Sequence, residues 1–262
     1  MRLSAFPYYL KSIYTLFKDV KPLKILFQLT FSKSCSVPKQ IHLQTGEAFI
    51  VNSLMDIWIL KETILDKQYQ YASETLLEDW TVLDIGAALG DFTVWSAKQL
   101  HKGKVIAVEP FPPSVDLLIK NLQLNDVKNV EVYKGAIAGF SGLVSLDLSK
   151  AEAVKIFTTQ SDSPAQFKVN AITLTELFSK YQINKCDYLK MDCEGAEYEI
   201  LFSTDENTFS KIDRICMEVH NIDSNHNSNV MAAYLQKNGF LVRITKNPVH
   251  QSICYLYAVK AK

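Results

Sequence analysis

Thr81-Val82-Leu83-Asp84-Ile85-Gly86-Ala87-Ala88-Leu89-Gly90-Asp91 decides how this chain is read. Thr81–Ile85 is a short apolar run of the kind that forms a buried strand. Glycines at 86 and 90 then allow a sharp turn, and Asp91 opens a helix reaching to Gln99. The same rhythm continues outward. Val105–Val108 reads as a strand, Ser114–Leu124 as an amphipathic helix carrying Val115, Leu118, Ile119 and Leu122, and Val130–Tyr133 as a third strand. Further on, Leu174–Tyr181, Ala196–Phe202 and Val230–Lys237 read as helices, and Tyr188–Met191 and Ile212–Val219 as strands. Such alternation predicts a parallel sheet covered by helices on both faces. Phe240–Ile244 and Ile253–Val259, joined by the short Lys246–Gln251 connection, predict a closing hairpin and one antiparallel strand. Leu143–Leu148 alternates like an antiparallel strand, and the polar stretch Lys150–Val169 reads as a loop or insertion.

Upstream, residues 1–68 form an extension to a domain spanning 69–262. Leu10, Ile13, Tyr14, Phe17 and Val20 recur at helical spacing, and Pro22 marks the end of that helix. A second apolar run covers Leu23–Phe31, a hairpin brackets Thr45-Gly46, and a helix runs from Leu54 to about Tyr69. The formal charge of the 262 residues is zero, with 28 basic and 28 acidic side chains. Residues 1–40 nevertheless carry seven basic groups and only one acid, Asp19, so the extension is at +6 and the rest at −6. An apolar fraction of 48% excludes wholesale disorder, and the balanced charge argues against nucleic acid as the main partner. Five cysteines without a C-x-x-C pair predict reduced thiols. Neither a secretory signal nor an 18-residue apolar span is legible. The expectation is a cytoplasmic protein, with peripheral contact at the inner membrane surface open through residues 1–40. The oligomeric state is not legible.

The chemistry is written at strand ends. The G-x-x-x-G spacing of Gly86 and Gly90 is not the G-x-G-x-x-G of dinucleotide sites, and Asp84 and Asp91 flank the turn. Carboxylates there suit a ligand with a cationic amino group, such as the methionine part of S-adenosylmethionine. Glu109, at the end of the second strand, is placed to accept both hydroxyls of an adenosine ribose. Asp192 and Glu194 follow the Tyr188–Met191 strand two residues apart, and Glu218 and His220 end the next one in the same way.

Asp84-x-Gly86-x-x-x-Gly90-Asp91-Phe92, Ala107-Val108-Glu109-Pro110, Lys190-Met191-Asp192-Cys193-Glu194-Gly195-Ala196-Glu197 and Glu218-Val219-His220 together resemble the ordered motifs of FkbM-type S-adenosylmethionine-dependent methyltransferases. The likeness spans about residues 69 to 220 and includes Asn121-Leu122 and Asn125; residues 1–68 take no part in it. Where the family pattern commonly has Asp after Thr173-Leu174, this chain has Thr175. The resemblance implies a class I methyltransferase (Rossmann-like) α/β sheet of seven strands, mostly parallel, with the last antiparallel. It also implies O-methylation of a hydroxyl on a sugar, glycolipid or natural product. By position, Gly86, Ala87, Gly90 and Phe92 would line S-adenosylmethionine, Glu109 with the adjoining Pro110 would hold the ribose, and Phe111, Gly135 and Ala136 would flank the adenine.

A sugar hydroxyl is a poor nucleophile, so a positioned base is required. His220 and Asp192 are the two candidates, with Glu194 and Glu218 orienting the acceptor or His220. The same four side chains suit Mg²⁺ or Mn²⁺, but no metal is assigned. Two further readings are an S-adenosylmethionine-binding protein without catalysis and, with the wrong glycine spacing, an NAD-dependent oxidoreductase. Residues 1–40 are either a helical cap on the acidic domain, lysines to water, or a basic aromatic surface for anionic membrane or a lipid-linked glycan.

Overall fold

The computed structural model describes residues 6–31, 37–70, 75–147, 155–157 and 167–261. The chain opens with α1 (Phe6–Asp19), β1 (Val20–Lys21), α2 (Leu23–Phe31), the hairpin β2 (Lys39–Leu43) and β3 (Ala48–Val51), and α3 (Leu54–Leu60), which runs into a π turn at Lys61–Leu65. There follow β4 (Thr81–Ile85), α4 (Asp91–Ala97), β5 (Lys104–Glu109), α5 (Pro112–Leu124), β6 (Val130–Lys134), β7 (Ala136–Ile137), β8 (Gly142–Asp147), β9 (Lys155–Phe157) and β10 (Phe167–Ile172). The chain ends with α6 (Leu174–Lys180), β11 (Tyr188–Met191), α7 (Glu197–Phe202), α8 (Glu206–Ser210), β12 (Arg214–His220), α9 (Ser228–Lys237), β13 (Phe240–Lys246) and β14 (Ile253–Lys260).

Seven strands form the main sheet in the order β13-β14-β12-β11-β4-β5-β6. β6, β5, β4, β11 and β12 are parallel neighbours, while β14 returns through the hairpin to lie antiparallel between β12 and β13. This is the mostly parallel sheet expected, with its last strand reversed. The strand order changes direction between β4 and β11, and in open α/β sheets the crevice beyond the strand ends at such a point receives ligands. Alternation along β4 sends Leu83 and Ile85 to the face covered by α6, α7 and α9 and Val82 to the opposite face.

The segment before residue 69 has no core of its own. Leu16, Val20, Ile25, Ile41, Phe49, Ile57 and Leu60 pack in one cluster with Val94 of α4 and Leu118 and Leu122 of α5. The outer edge of β3 would leave its peptide groups unpaired, and Asn121 of α5 and Asn125 at its C-cap take the place of a strand. Asn121 Oδ1 accepts from Ile50 N at 2.7 Å, and Asn125 Oδ1 from Ala48 N at 3.0 Å. Their amides donate to Leu89 O at 2.8 Å and Ala48 O at 2.6 Å.

Leu10, Ile13, Tyr14 and Phe17 of α1 are exposed, and the buried side chains of that helix are Ser12 and Leu16. The structure corrects two expectations. The stretch 150–169 is not only loop: β9 and the start of β10 lie within it, in a second sheet of order β7-β10-β8-β9. Residues 150–154 and 158–166 lie outside the described residues. The helix read from Leu54 to about Tyr69 holds its α form only to Leu60, and α8 carries too few apolar positions to show in the sequence. The thiols of Cys186, Cys193, Cys216 and Cys254 are free, and Cys35 lies outside the described residues.

Asn121→Leu fills the same space but strands the Ile50 N–H and the Leu89 carbonyl in a buried setting. It is expected to cost about 2–4 kcal/mol and to lower Tm by roughly 5–15 °C in a calorimetric scan.

Candidate active site

A cleft of about 920 Å³ opens beyond the carboxyl ends of β4, β5, β11 and β12. Gly86, at φ +80°, is where β4 leaves the sheet, and a Cβ there would lie 1.9 Å from the carbonyl oxygen of Asp192. Only glycine permits β4 and β11 to end this close together. At Gly90, φ +89°, a Cβ would meet Leu118 Cδ1 at 2.5 Å, so this glycine seats α4 against α5.

Beside the turn, Glu109 takes the amide of Ala88 on one oxygen (2.8 Å) and the amide of Phe111 on the other (2.9 Å). Burial pushes its carboxyl up, the two amides oppose that, and the balance is about 7. Each oxygen keeps a lone pair for a hydroxyl. Pro110, Phe111 and Ala136 continue this wall.

Under the floor, the buried ammonium of Lys190 donates to Gly86 O at 2.7 Å and pairs with Asp84 at 3.0 Å. Burial works against its charge, but Asp84, Asp192 and Asp91 outweigh that and hold it protonated. Thr93 donates to the other oxygen of Asp84 at 2.5 Å. Asp91 reaches the cleft, its carboxyl raised to about 6 by burial while Lys190 and a hydrogen bond from Thr63 hold it down.

Asp192 is the carboxylate at the centre. Tyr69 donates to its Oδ2 at 2.8 Å, whereas Oδ1 has no hydrogen-bond partner. Tyr69 is itself fixed: its carbonyl accepts from Tyr188 OH, and its ring meets Phe92 and Tyr255 edge-on. Glu194, in the left-handed region at φ 52°, turns back over His220. That imidazole is enclosed by carboxylates, with Nδ1 3.2 Å from Glu197 and Nε2 3.3 Å from Glu194 and 3.6 Å from Glu218. Burial would lower its pKa, but the bonds to Glu194 and Glu197 and the charges of Glu197 and Asp192 carry it up to about 11. Both ring nitrogens facing acceptors is the arrangement of an imidazolium. Burial and then the charge of Asp192 push the carboxyl of Glu218 up.

Of the residues singled out in the sequence, Gly86, Asp91, Glu109, Pro110, Phe111, Ala136, Asp192, Glu194 and Glu218 line this one cleft. Asp84 does not. It is buried behind Lys190, so it positions the floor and cannot meet a ligand's amino group directly. Ala87 and Phe92 are buried too, Phe92 stacking on Tyr188, while Gly90 and Gly135 act through backbone approach and lie off the wall. His220 sits behind Glu194 and Glu218, and as an imidazolium it has no lone pair with which to act as a base. Sequence reading assigned no role to Tyr69, to Lys190 and Glu197 within the quoted motif, or to Met55, Trp58, Ile59 and Glu62 of the roof. Lys190 had a signal, a lysine inside an apolar strand. The roof had none, because nothing in the sequence says which way the extension folds back. Asp192, Glu218 and His220 each offer a ligand atom within 4.8 Å of the others, a spacing open to a metal ion once His220 gives up a proton.

A family model described as "Methyltransferase FkbM domain" matches residues 84–242, more than half of the chain. Methyltransferase 1 of Beauveria bassiana is 22% identical over 209 residues, covering 72% of this chain and 82% of that protein. Methyltransferase sdnD of Sordaria araneosa is 25% identical over 214 residues, covering 70% and 82%. Among solved structures, the methyltransferase FkbM of Methylobacillus flagellatus KT superposes with a TM-score of 0.50 at 13% identity, over 72% of this chain and 46% of that one.

Because the pKa of His220 is raised far above the ordinary 6.5, its proton is bound at all lower pH and leaves only as pH climbs toward about 11. Nitrogen-detected NMR of the imidazole should therefore show both N–H groups unchanged from about pH 6 to pH 9. Titration near 6.5 would show that the ring is not held as an imidazolium.

Proposed function

The chain belongs to the FkbM methyltransferase family and is an S-adenosylmethionine-dependent enzyme of the class I fold; from that premise we propose that it O-methylates a hydroxyl of a neutral acceptor such as a sugar, a glycolipid or a natural product. The observation that carries this reading is Asp192, which lines the cleft: one carboxylate oxygen is tied down by Tyr69, and the other, buried, has no hydrogen-bond partner. The residues fit the cofactor, since the Gly86 turn keeps the floor free of side chain and Glu109 presents acceptors beside the Ala88 and Phe111 amides. Glu109 would hold the ribose, Phe111 and Ala136 would flank the adenine, and Asp91 would face the amino group. S-adenosylmethionine, when bound, supplies a methyl group on a sulfonium.

The chain's own part is alignment and proton removal. Holding two reactants in line is worth roughly 7–11 kcal/mol of barrier, and here the π turn, α3 and the 66–70 strap close over the strand ends to do so. Oδ1 of Asp192 takes the hydroxyl proton. His220 fixes Glu194 and Glu197 by charge, so it orients the site and is not the base. Residues 1–68 then serve as a cap that roofs the acceptor side of a 69–262 methyltransferase domain. Aside from Lys190, which is tied to Asp84, the acidic lining is Asp56, Glu62, Asp91, Asp192 and Glu194, with Glu109 and Glu218 pushed by burial toward their neutral forms. Such a wall repels phosphorylated or carboxylated acceptors. An NAD-dependent oxidoreductase would need the glycine spacing that this turn lacks.

Asp192→Asn should lower turnover at saturating cofactor by about 100-fold or more, and His220→Gln by a smaller factor. Equal losses would return His220 to the base role. Glu109→Ala should weaken S-adenosylmethionine roughly 10- to 100-fold in isothermal titration. Binding that is intact in a chain that transfers no methyl group to any hydroxyl-bearing acceptor would instead support a non-catalytic binding protein. Activity that survives exhaustive chelation would remove a divalent cation from Asp192, Glu218 and His220.

A further inference from the structure

Helix α1 is amphipathic, but its apolar stripe points away from the protein. Phe6, Leu10, Ile13, Tyr14 and Phe17 are 50%, 52%, 50%, 68% and 41% exposed. At 100° per residue these five occupy one arc roughly 100° wide. Lys11 and Lys18, both exposed, lie along one border of that arc. The opposite arc holds the contacts to the body: Leu16 and Ser12 are buried, and Tyr8 OH donates to Glu62 (3.0 Å) and accepts from Lys61 (2.8 Å). The helix is therefore docked through its mixed side, and among the described residues its apolar side is left uncovered. Phe27 of α2, 52% exposed, meets Phe17 edge-on at 5.7 Å and widens the patch, with Lys21 and Lys24 exposed beside it. Among the described residues of α1, β1 and α2, four lysines face one acid, Asp19.

A contiguous exposed apolar patch of this kind marks a surface that meets something. Aromatic and aliphatic side chains bordered by lysines suit the boundary between acyl chains and anionic headgroups, where rings sit at the interface and each lysine near the surface adds attraction. No described helix is long and apolar enough to cross a membrane, so the geometry is that of a helix lying on a bilayer. We propose that the face Phe6, Leu10, Ile13, Tyr14, Phe17 and Phe27, with its bordering lysines, is a docking surface for anionic lipid bilayers. Tyr8 and Tyr9 of the docked side meet Trp58, which lines the cleft, so a lipid surface held by α1 is one helix away from the acceptor site. That consequence for lipid-linked acceptors rests on the methyltransferase reading, whereas lipid binding itself does not.

The test is co-sedimentation of the full chain with phosphatidylcholine vesicles, with and without about one-third phosphatidylglycerol. Binding is expected to the anionic vesicles and to fall in ~0.5 M salt, where charges are screened. Leu10→Glu with Phe17→Glu should weaken it roughly tenfold or more, and Lys11→Glu with Lys18→Glu should abolish the preference for anionic lipid. These side chains are exposed, so melting temperature and S-adenosylmethionine affinity should be unchanged. A chain that stays in solution with both vesicles, or that binds equally after Leu10→Glu with Phe17→Glu, overturns the proposal. So does a wild-type dimer in light scattering that those substitutions dissolve while vesicles go unbound, since the face would then join copies of this chain or another protein.

Discussion

The close approach of β4 and β11 at their carboxyl ends is the constraint on which the rest depends. Gly86 lies so near the Asp192 carbonyl that any side chain would collide, and the contact is locked from below by Lys190, which bonds Gly86 O and Asp84 together. A buried ammonium costs several kcal/mol in desolvation and persists only where its partners are complete. Here Asp84, with Asp91 and Asp192 nearby, supplies that compensation. One lysine thus ties the turn after β4 to Asp84 under the cleft, with the charges of Asp91 and Asp192 beside it.

Around this floor, the chain uses polar side chains where strands or helices would leave peptide groups bare. Asn121 and Asn125 complete the edge of β3 and fasten the hairpin to α5. Tyr69, Tyr255 and Tyr257 do the same for the strap at 66–70: Tyr255 OH donates to the Gln68 side chain, Tyr257 OH to the Gln68 carbonyl, and Tyr69 reaches Asp192. The segment before residue 70 and the Asp192 carboxylate are therefore joined by hydrogen bonds. Carboxylates collect at the strand ends, and lysines collect on the far side of the cap.

Much of the sheet was legible because its evidence is local. Four or five mainly apolar residues followed by a turn and then a helical run announce each βα unit, with glycine directly after β4, and the 240–259 hairpin announces the reversed last strand. The candidate site was half legible. Asp192, Glu194, Glu218 and His220 follow from alternation at two strand ends, but the role of His220 did not, because Glu197 reaches its Nδ1 from a different element. Asp84 reads as a ligand-facing acid beside a glycine turn, and only the position of Lys190 turns it inward. On α1, periodicity located the apolar stripe correctly and could not tell its direction, since a stripe facing a core and one facing a bilayer have the same spacing.

The sequence by itself determined the order of the main-sheet strands, the glycine at which β4 turns, and the strand ends at which carboxylates gather, since these depend on residues within a few positions of one another. Tertiary structure alone decided which acid faces the cleft, which imidazole keeps its proton, and which side of α1 is left bare. Each of those is set by electrostatics and burial among residues such as Tyr69 and Asp192, 123 positions apart in the chain.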